Sequence, residues 1–371
     1  MKMIEQGILN RGERGTRRAL GTFPAVTALR DGALLATYRV GTTKDSDDET
    51  VEVRRSGDGG RSWGAPAMPF SCVVDGRRGS LKVAYLTPLE GDRLMAAVLW
   101  VDREAHPGRP LFNPDTEGCL PMAVLVAESG DLGHSWSPWR VVPVPEDVGP
   151  PSLTSPVLRL RSGRLAVSIE TNKPYEDRSK WYQRVVYVYS GDGGRTWGKP
   201  VTVAQDPAAR FFNWDQRAGV APDGRVVTFT WTYDRETATY LNIRRRVSRD
   251  EGATWTAPED IGFADQASHP AMLPDGRAVL AWVDRYGTRS IRARLAEGVD
   301  APFRAETEVA LYEYREQGRD RARDTGEMLA EMSVWSFGLP YAEALPEGDV
   351  MVVYYAGDVG CTDVRWVRLG L

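Results

Sequence analysis

The chain alternates an apolar run, a glycine-bearing turn and a second apolar run, and it does so six times. The copies are FPAVTALRDGALLATY at 23–38, VAYLTPLEGDRLMAAVLW at 83–100, SPVLRLRSGRLAVSIE at 155–170, AGVAPDGRVVTFTW at 218–231, PAMLPDGRAVLAW at 270–282 and PYAEALPEGDVMVVYY at 340–355. A DG, SG or EG pair between two such runs signals a β-hairpin, because glycine supplies the backbone angles a tight turn needs. In the first four units a third strand follows: VEVRRS, MAVLVAES, RVVYVYS and NIRRRVS.

Each third strand runs into one motif, Ser-x-Asp-x-Gly-x-Ser/Thr-Trp, at 56–63, 129–136, 190–197 and 248–255. Asp58, Asp131, Asp192 and Asp250 can accept backbone N–H bonds within the loop. Gly60, Gly133, Gly194 and Gly252 can take positive φ without a Cβ clash. The following Trp returns to the hairpin and can bury its ring. The motif therefore speaks for fold and hardly at all for catalysis.

A unit of this size repeated six times predicts an all-β, six-bladed β-propeller with four-stranded antiparallel blades, one domain over 1–371. In blade five the segment RSIRARLAEGVDAPF stands where the turn motif belongs, so that turn has degenerated. The last blade ends with DVRWVRLGL as its third strand. MIEQGILN at 3–10 is expected to complete that blade and remove its open edge. Residues 315–331 carry a charged run between blades five and six, read as a solvated loop. A short helix forming a lid beside a binding site is the alternative.

Composition narrows the partners. The formal net charge is −4 and there is no basic run, which argues against nucleic acid. No apolar stretch approaches the roughly 20 residues of a membrane span. The three cysteines, Cys72, Cys119 and Cys361, are far apart and form no CxxC. A disulfide framework or zinc site is not expected, and neither HExxH nor an EF-hand loop occurs. No cofactor or metal is therefore expected. MKMIEQGILNRGERG lacks the apolar core of a leader, so the chain as it stands reads as cytoplasmic, or secreted if a leader has been trimmed. The twelve Trp and fourteen Tyr suit half-buried strands and, beyond that, sugar stacking.

In a propeller of this strand order, the starts of the first strands and the ends of the second strands surround one axial mouth. Blade one brings Arg39 and the loop Lys44-Asp45-Ser46-Asp47-Asp48-Glu49. Blade two brings Lys82, Trp100 and Asp102, and blade three Glu170 and Asn172. Blade four brings Asp215, Gln216, Arg217, Trp231, Tyr233 and Asp234. Blade five brings His269, Asp284 and Arg285, and blade six Tyr341, Glu343, Tyr354, Tyr355 and Asp358. Carboxylates there can serve as acid and base, cations can hold an anionic sugar, and Trp100 and Trp231 can stack on a ring. The expected partner is a carbohydrate. The substrate-binding candidates are Arg39, Lys82, Trp100, Asp102, Arg217, Trp231, His269, Asp284, Arg285 and Tyr355. Each could equally be a loop-end charge or a packed ring.

The repeated turn and the six-unit count resemble the sialidases and their BNR-repeat relatives over nearly the whole chain, most closely in FPAVTALRDGALLATY, VEVRRSGDGGRSWGAP and VRWVRLGL. The resemblance implies Asp-box turns in a six-bladed propeller that hydrolyses terminal sialic acids with retention. It implies an arginine triad on the sugar carboxylate, a Tyr–Glu pair attacking the anomeric carbon and an Asp as acid/base. By that resemblance Asp45 takes the acid/base position, with Asp47 and Asp48 as rivals. Asp215 falls at the Glu position, one methylene shorter, with Glu170 as a further carboxylate. Arg285 or Arg289 supplies a triad arginine. Three positions depart from the pattern. Thr22-Phe23-Pro24 lacks the first arginine, and Trp231 or Thr232 stands where the second would fall. The nucleophilic Tyr would fall near Leu339, with Tyr341 two residues on. The implied activity is a sialidase-like exo-glycosidase on a terminal acidic sugar. The alternatives are a non-catalytic glycan-binding propeller and a lyase on uronic-acid polysaccharides that uses His269 or Tyr355 as base.

Overall fold

The computed structural model describes residues 1–315 and 324–371. The fold is all-β, with Thr325–Glu331 the one α-helix among the described residues. No helix there is long and apolar enough to cross a membrane.

The strands form five sheets. The first is seven-stranded and has two arms. One arm holds Leu20–Ala28, Leu34–Gly41 and Thr50–Ser56. The other holds Phe337–Ala344, Val350–Asp358, Cys361–Gly370 and, antiparallel to the last of these, Lys2–Asn10. A single parallel pair, Leu20 with Thr362, joins the arms. The second sheet is built on Arg77–Pro88, Leu94–Asp102 and Met122–Ser129. The third is built on Leu165–Glu170, Arg184–Ser190 and Val201–Gln205, the fourth on Phe211–Val220, Val226–Asp234 and Arg244–Ser248, and the fifth on Ala278–Asp284, Ser290–Ala296 and Val309–Glu313. Each sheet packs on the next in chain order, and the fifth packs on Phe337–Ala344, which closes the circuit. The second strands are apolar on both faces, as in LMAAVLWVD and AVLAWVD, because a neighbouring sheet covers each side.

The four repeated turns close in the same way. Asp58 Oδ1 accepts from Ser62 N–H at 2.9 Å, Asp58 Oδ2 accepts from Ser62 Oγ–H at 2.6 Å, and Gly60 N–H donates to Ser56 Oγ at 2.9 Å. Asp131 with Ser135, Asp192 with Thr196 and Asp250 with Thr254 repeat the pattern. These hydrogen bonds hold Asp58 and Asp250 down to about 2. Gly60 sits at φ 90 and Gly252 at φ 88, angles that a side chain resists. Trp63 and Trp197 pack on the largest apolar cluster, Trp136 and Trp255 on two others.

The described end of the charged run at 315–331 takes the short-helix alternative rather than the solvated loop. Residues 316–323 lie outside the described set, but Asp324 caps a helix over Thr325–Glu331 by accepting Glu327 N–H at 2.9 Å. Met328 and Leu329 are buried in it. The apolar pair inside GEMLAE, rather than the flanking charges, decides where this segment goes.

Candidate active site

Four inner strands carry a register break beside the axis: Thr22/Ala25, Leu81/Val83, Trp214/Arg217 and Gly338/Tyr341. A bulge adds a residue to one strand and re-aims its side chain. Phe23, Asp215 and Leu339 occupy these breaks at φ 48, 47 and 47, in the left-handed region. Each such non-glycine residue costs roughly 1–3 kcal/mol, and costs of this kind gather at functional sites. All three, with Lys82 at the remaining break, line a central cavity of about 480 Å³.

One part of the cavity wall is cationic. Arg39, Lys44, Lys82 and Arg285 all reach it. Arg39 pairs with Glu49 at 3.2 Å, donates to Thr22 Oγ1 at 2.9 Å and lies over the Phe23 ring at 4.6 Å. Lys82 sits between Glu49 at 2.6 Å and Asp45 at 2.9 Å. Arg285 donates to Phe337 O and Gln266 Oε1, both at 2.7 Å, beneath the Trp335 ring at 3.8 Å. Its path is open because residue 338 is glycine: a Cβ there would stand 2.6 Å from Arg285 Nη2. Lys44 donates to Tyr355 Oη at 2.8 Å and to the carbonyls of Met332 and Trp335. Burial, then the facing charges of Arg285 and Arg39, push its pKa well below the usual lysine value. An anion placed among these three cations would relieve that repulsion.

Asp45 lines the same cavity, but its chemistry is committed. It accepts from Lys82, from Arg103 at 2.7 Å and from Leu111 N–H. Burial alone would raise its pKa; Lys82 and Arg103 outweigh that and hold it well below the usual carboxylate range. A group so held has no proton to donate near neutral pH. Glu170 is the opposite case. It is 6% exposed, and burial followed by the charge of Asp215 pushes it up to about 8. Its Oε1 accepts Gln216 N–H at 2.8 Å. Asp215, in the next sheet, is bound by Arg217 at 2.6 Å and by Gln266 Nε2 at 2.6 Å. A protonated carboxyl and an ion-paired carboxylate thus share one cavity.

Of the residues singled out from sequence, Asp45, Glu170, Asn172, Asp215, Arg39, Lys82, Trp231, Arg285 and Tyr355 line this cavity. The others go elsewhere. Trp100 donates to Cys72 O at 2.9 Å and packs among Leu81, Leu86 and Phe70, on the opposite side of its strand. Asp102 pairs with Arg77 at 2.8 Å and caps the N–H groups of Glu104 and Ala105. Asp284 closes its own turn by accepting from Gly287 and Thr288, each at 2.7 Å. Arg217 stands behind Asp215 and donates to Tyr85 Oη at 2.6 Å. Tyr341 and His269 stack at 4.4 Å beneath the cavity, with Tyr85 6.0 Å from Tyr341. Burial, then Arg217, drives His269 down to about 3, so it is neutral.

Several cavity residues were not among the sequence candidates. Lys44 was visible beside Asp45 and was read only as part of an acidic loop. Gln266 carried no motif, and neither did Arg103, which lies outside the cavity lining and acts on it through Asp45. The upper wall comes from irregular segments: Pro110–Pro114, held by Leu120 N–H on Leu111 O at 3.0 Å, and Gly326–Trp335 with its short helix. Among the described residues, no cluster of three or more His, Cys, Asp or Glu side chains is arranged to hold a metal ion.

An all-β circuit of sheets with an axial polar cavity is the architecture of sialidase-like proteins, and the comparisons agree. The BNR repeat-like domain pattern matches residues 32–299, so the chain belongs to that family, within the sialidase and BNR-repeat superfamily. No curated protein matches it in sequence. A protein of unknown function from Dyadobacter fermentans is similar in structure at 20% identity, TM-score 0.75, over 100% of this chain and 99% of that one. The intramolecular trans-sialidase of Ruminococcus gnavus, solved with oseltamivir carboxylate, is similar at 13% identity, TM-score 0.68, over 99% and 97%. An α-L-arabinanase of Penicillium chrysogenum, solved with arabinobiose, is similar at 14% identity, TM-score 0.65, over 99% and 98%. Identities this low establish a shared fold and no shared substrate.

Proposed function

We propose that the chain is a six-bladed, single-domain propeller acting as a glycoside hydrolase on a terminal acidic sugar, with Glu170 as proton donor and Asp215 as the opposing carboxylate. Counting the two arms of the seven-stranded sheet as separate blades supports the six-blade reading, since one residue pair joins them. The observation that carries the activity is the cavity's division. Glu170, pushed up to about 8, and Asp215, paired with Arg217, face a wall holding Arg39, Lys44 and Arg285. A neutral carboxyl can protonate a leaving oxygen while a charged partner attacks the anomeric carbon or activates water. The cations would clasp the sugar's carboxylate.

This reading moves the acid away from Asp45, which then serves to fix Lys82 and Arg103. It also dispenses with a tyrosine nucleophile at Leu339, because Tyr341 points below the cavity. A lyase reading loses His269 as its base for the same reason. Non-catalytic glycan binding remains the competitor, supported by the ion-paired Asp45. A hydrolysis screen with fluorogenic sialosides, uronides and neutral arabinosides, run with wild type and Glu170→Gln, tests the proposal. Release from an acidic glycoside that drops about 10²–10⁴-fold in the variant is expected. Binding of glycans without turnover of any would replace hydrolase by lectin-like binding.

A further inference from the structure

The cavity has two chemically distinct sides. Its cations come from one arm of the first sheet (Arg39 and Lys44), from the second sheet (Lys82) and from the end of the fifth (Arg285). Its carboxylates Glu170 and Asp215 come from the third and fourth sheets. The same cavity also has an apolar stretch of wall, which meets the cationic side where the Trp335 ring lies 3.8 Å from Arg285. Trp214, Trp231 and Leu329 belong to one apolar cluster, with Phe112, Met332 and Trp335 packed against it, and all six line the cavity.

A second sugar ring could lay its C–H face on the Trp rings, but hydroxyls turned toward Leu329 and Met332 would be stripped of water without a partner, which weakens binding. The volume of about 480 Å³ is within the usual range for a small ligand, roughly 300–1,000 Å³, and more than one sugar ring fills. The wall is also specific in origin. Phe112 and Leu329 come from two segments far apart in sequence, Phe112 from the loop between Leu94–Asp102 and Met122–Ser129, and Leu329 from the capped helix.

We propose that the ligand of this cavity is a sugar acid joined to an apolar group of aryl or medium alkyl size, the apolar group lying on the Phe112–Trp214–Leu329 wall next to the scissile oxygen. The inference rests on the reading of the cavity as an acidic-sugar site and names the class of aglycone. The substrate is thus a glycoside of an apolar alcohol or phenol, and not the end of a polysaccharide.

The test separates ligand preference from catalysis. Tryptophan fluorescence of the full chain is titrated with acetate, glucuronate and 3-phenylpropionate. We expect 3-phenylpropionate to bind at least tenfold tighter than either of the others. Leu329→Asn should erase that preference, and Phe112→Ser should do the same where Leu329→Asn fails to fold by circular dichroism. Lys44→Met should weaken 3-phenylpropionate and glucuronate together. Glucuronate binding as tightly as 3-phenylpropionate, no binding of any probe, or a preference untouched in the folded wall variant would overturn the proposal. A confirmed preference without turnover of any aryl glycoside would instead sink the hydrolase reading and leave this one standing.

Discussion

Replacing Glu170 by Gln should make the protein more resistant to unfolding at alkaline pH while removing its acid. In the folded chain this carboxyl titrates near 8 against an ordinary 4.5, chiefly through burial and then through Asp215. Between those pH values the folded state holds a proton that the unfolded chain has lost, so stability falls as pH rises. The slope is about 1.36 kcal/mol per pH unit, which over the whole interval gives on the order of 5 kcal/mol before the site relaxes. Gln keeps the acceptor that Gln216 N–H uses at 2.8 Å but carries no charge at any pH. Wild type and variant should therefore match within about 1 kcal/mol at pH 5 and diverge by a few kcal/mol in the variant's favour at pH 9. Urea unfolding followed by tryptophan fluorescence at pH 5, 7 and 9 measures this directly. Asp265 and Glu343, both raised to about 7 mainly by burial, tilt the two proteins equally and cancel in the difference. A gap that stays constant from pH 5 to pH 9 would refute the assignment of a raised carboxyl to Glu170.

Three further outcomes are expected. Arg217→Met strips the countercharge from Asp215, whose partner lies 2.6 Å away in a buried setting, and should cost about 3–5 kcal/mol in the same urea assay; a loss under about 1 kcal/mol would show that Gln266, at 2.6 Å, is enough to hold Asp215. Gly338→Ala places a Cβ 2.6 Å from Arg285 Nη2 at a backbone φ of +150, so affinity for a carboxylate probe should fall about tenfold by fluorescence titration. Unchanged affinity would take Arg285 out of the anion clasp. Deleting residues 1–10 removes the strand Lys2–Asn10 from beside Cys361–Gly370 and bares an edge that includes Trp366. The melting temperature should drop by about 5 °C or more and aggregation should rise; an unaltered melting curve would mean that the ring closes without this strand.

The turns were legible because their hydrogen bonds dictate residue types. Only Asp in the third position can accept both Ser62 N–H and Ser62 Oγ–H, and only glycine sits easily at φ 90 two residues later. The site was legible by sheet and blurred by residue. A bulge shifts the alternation by one, and in a strand one residue is the difference between facing the axis and facing away. Hence Asp215 reaches the cavity while Arg217 stands behind it, and Leu339 reaches it while Tyr341 goes beneath. Trp100 fails for a related reason: with both faces of its strand covered, aromatic character could not say which side it takes. The upper wall was hidden because no periodicity marks irregular segments, and the two buried apolar residues of GEMLAE are outnumbered by charges around them.

Under the proposed reading, the relocation of the acid follows from the departures at the arginine positions. Thr22, next to the bulge at Phe23, stands where the resemblance implies the first triad arginine, and Trp231 or Thr232 stands at the second. The chain supplies positive charge instead through Lys82 and Arg103, and both of these land on Asp45, at 2.9 and 2.7 Å. A carboxylate between two cations cannot hold a proton near neutral pH, so the aspartate at the family's acid position is disabled by the side chains that replace the lost arginines. Glu170 lies in the part of the cavity that those cations do not reach. There, burial and Asp215 raise its pKa, and the same apolar wall that excludes water from it would receive the leaving group. Lost arginines, a silenced Asp45 and a protonated Glu170 are on this account one rearrangement of charge, and restoring an arginine at position 22 without removing Lys82 should not return the acid role to Asp45.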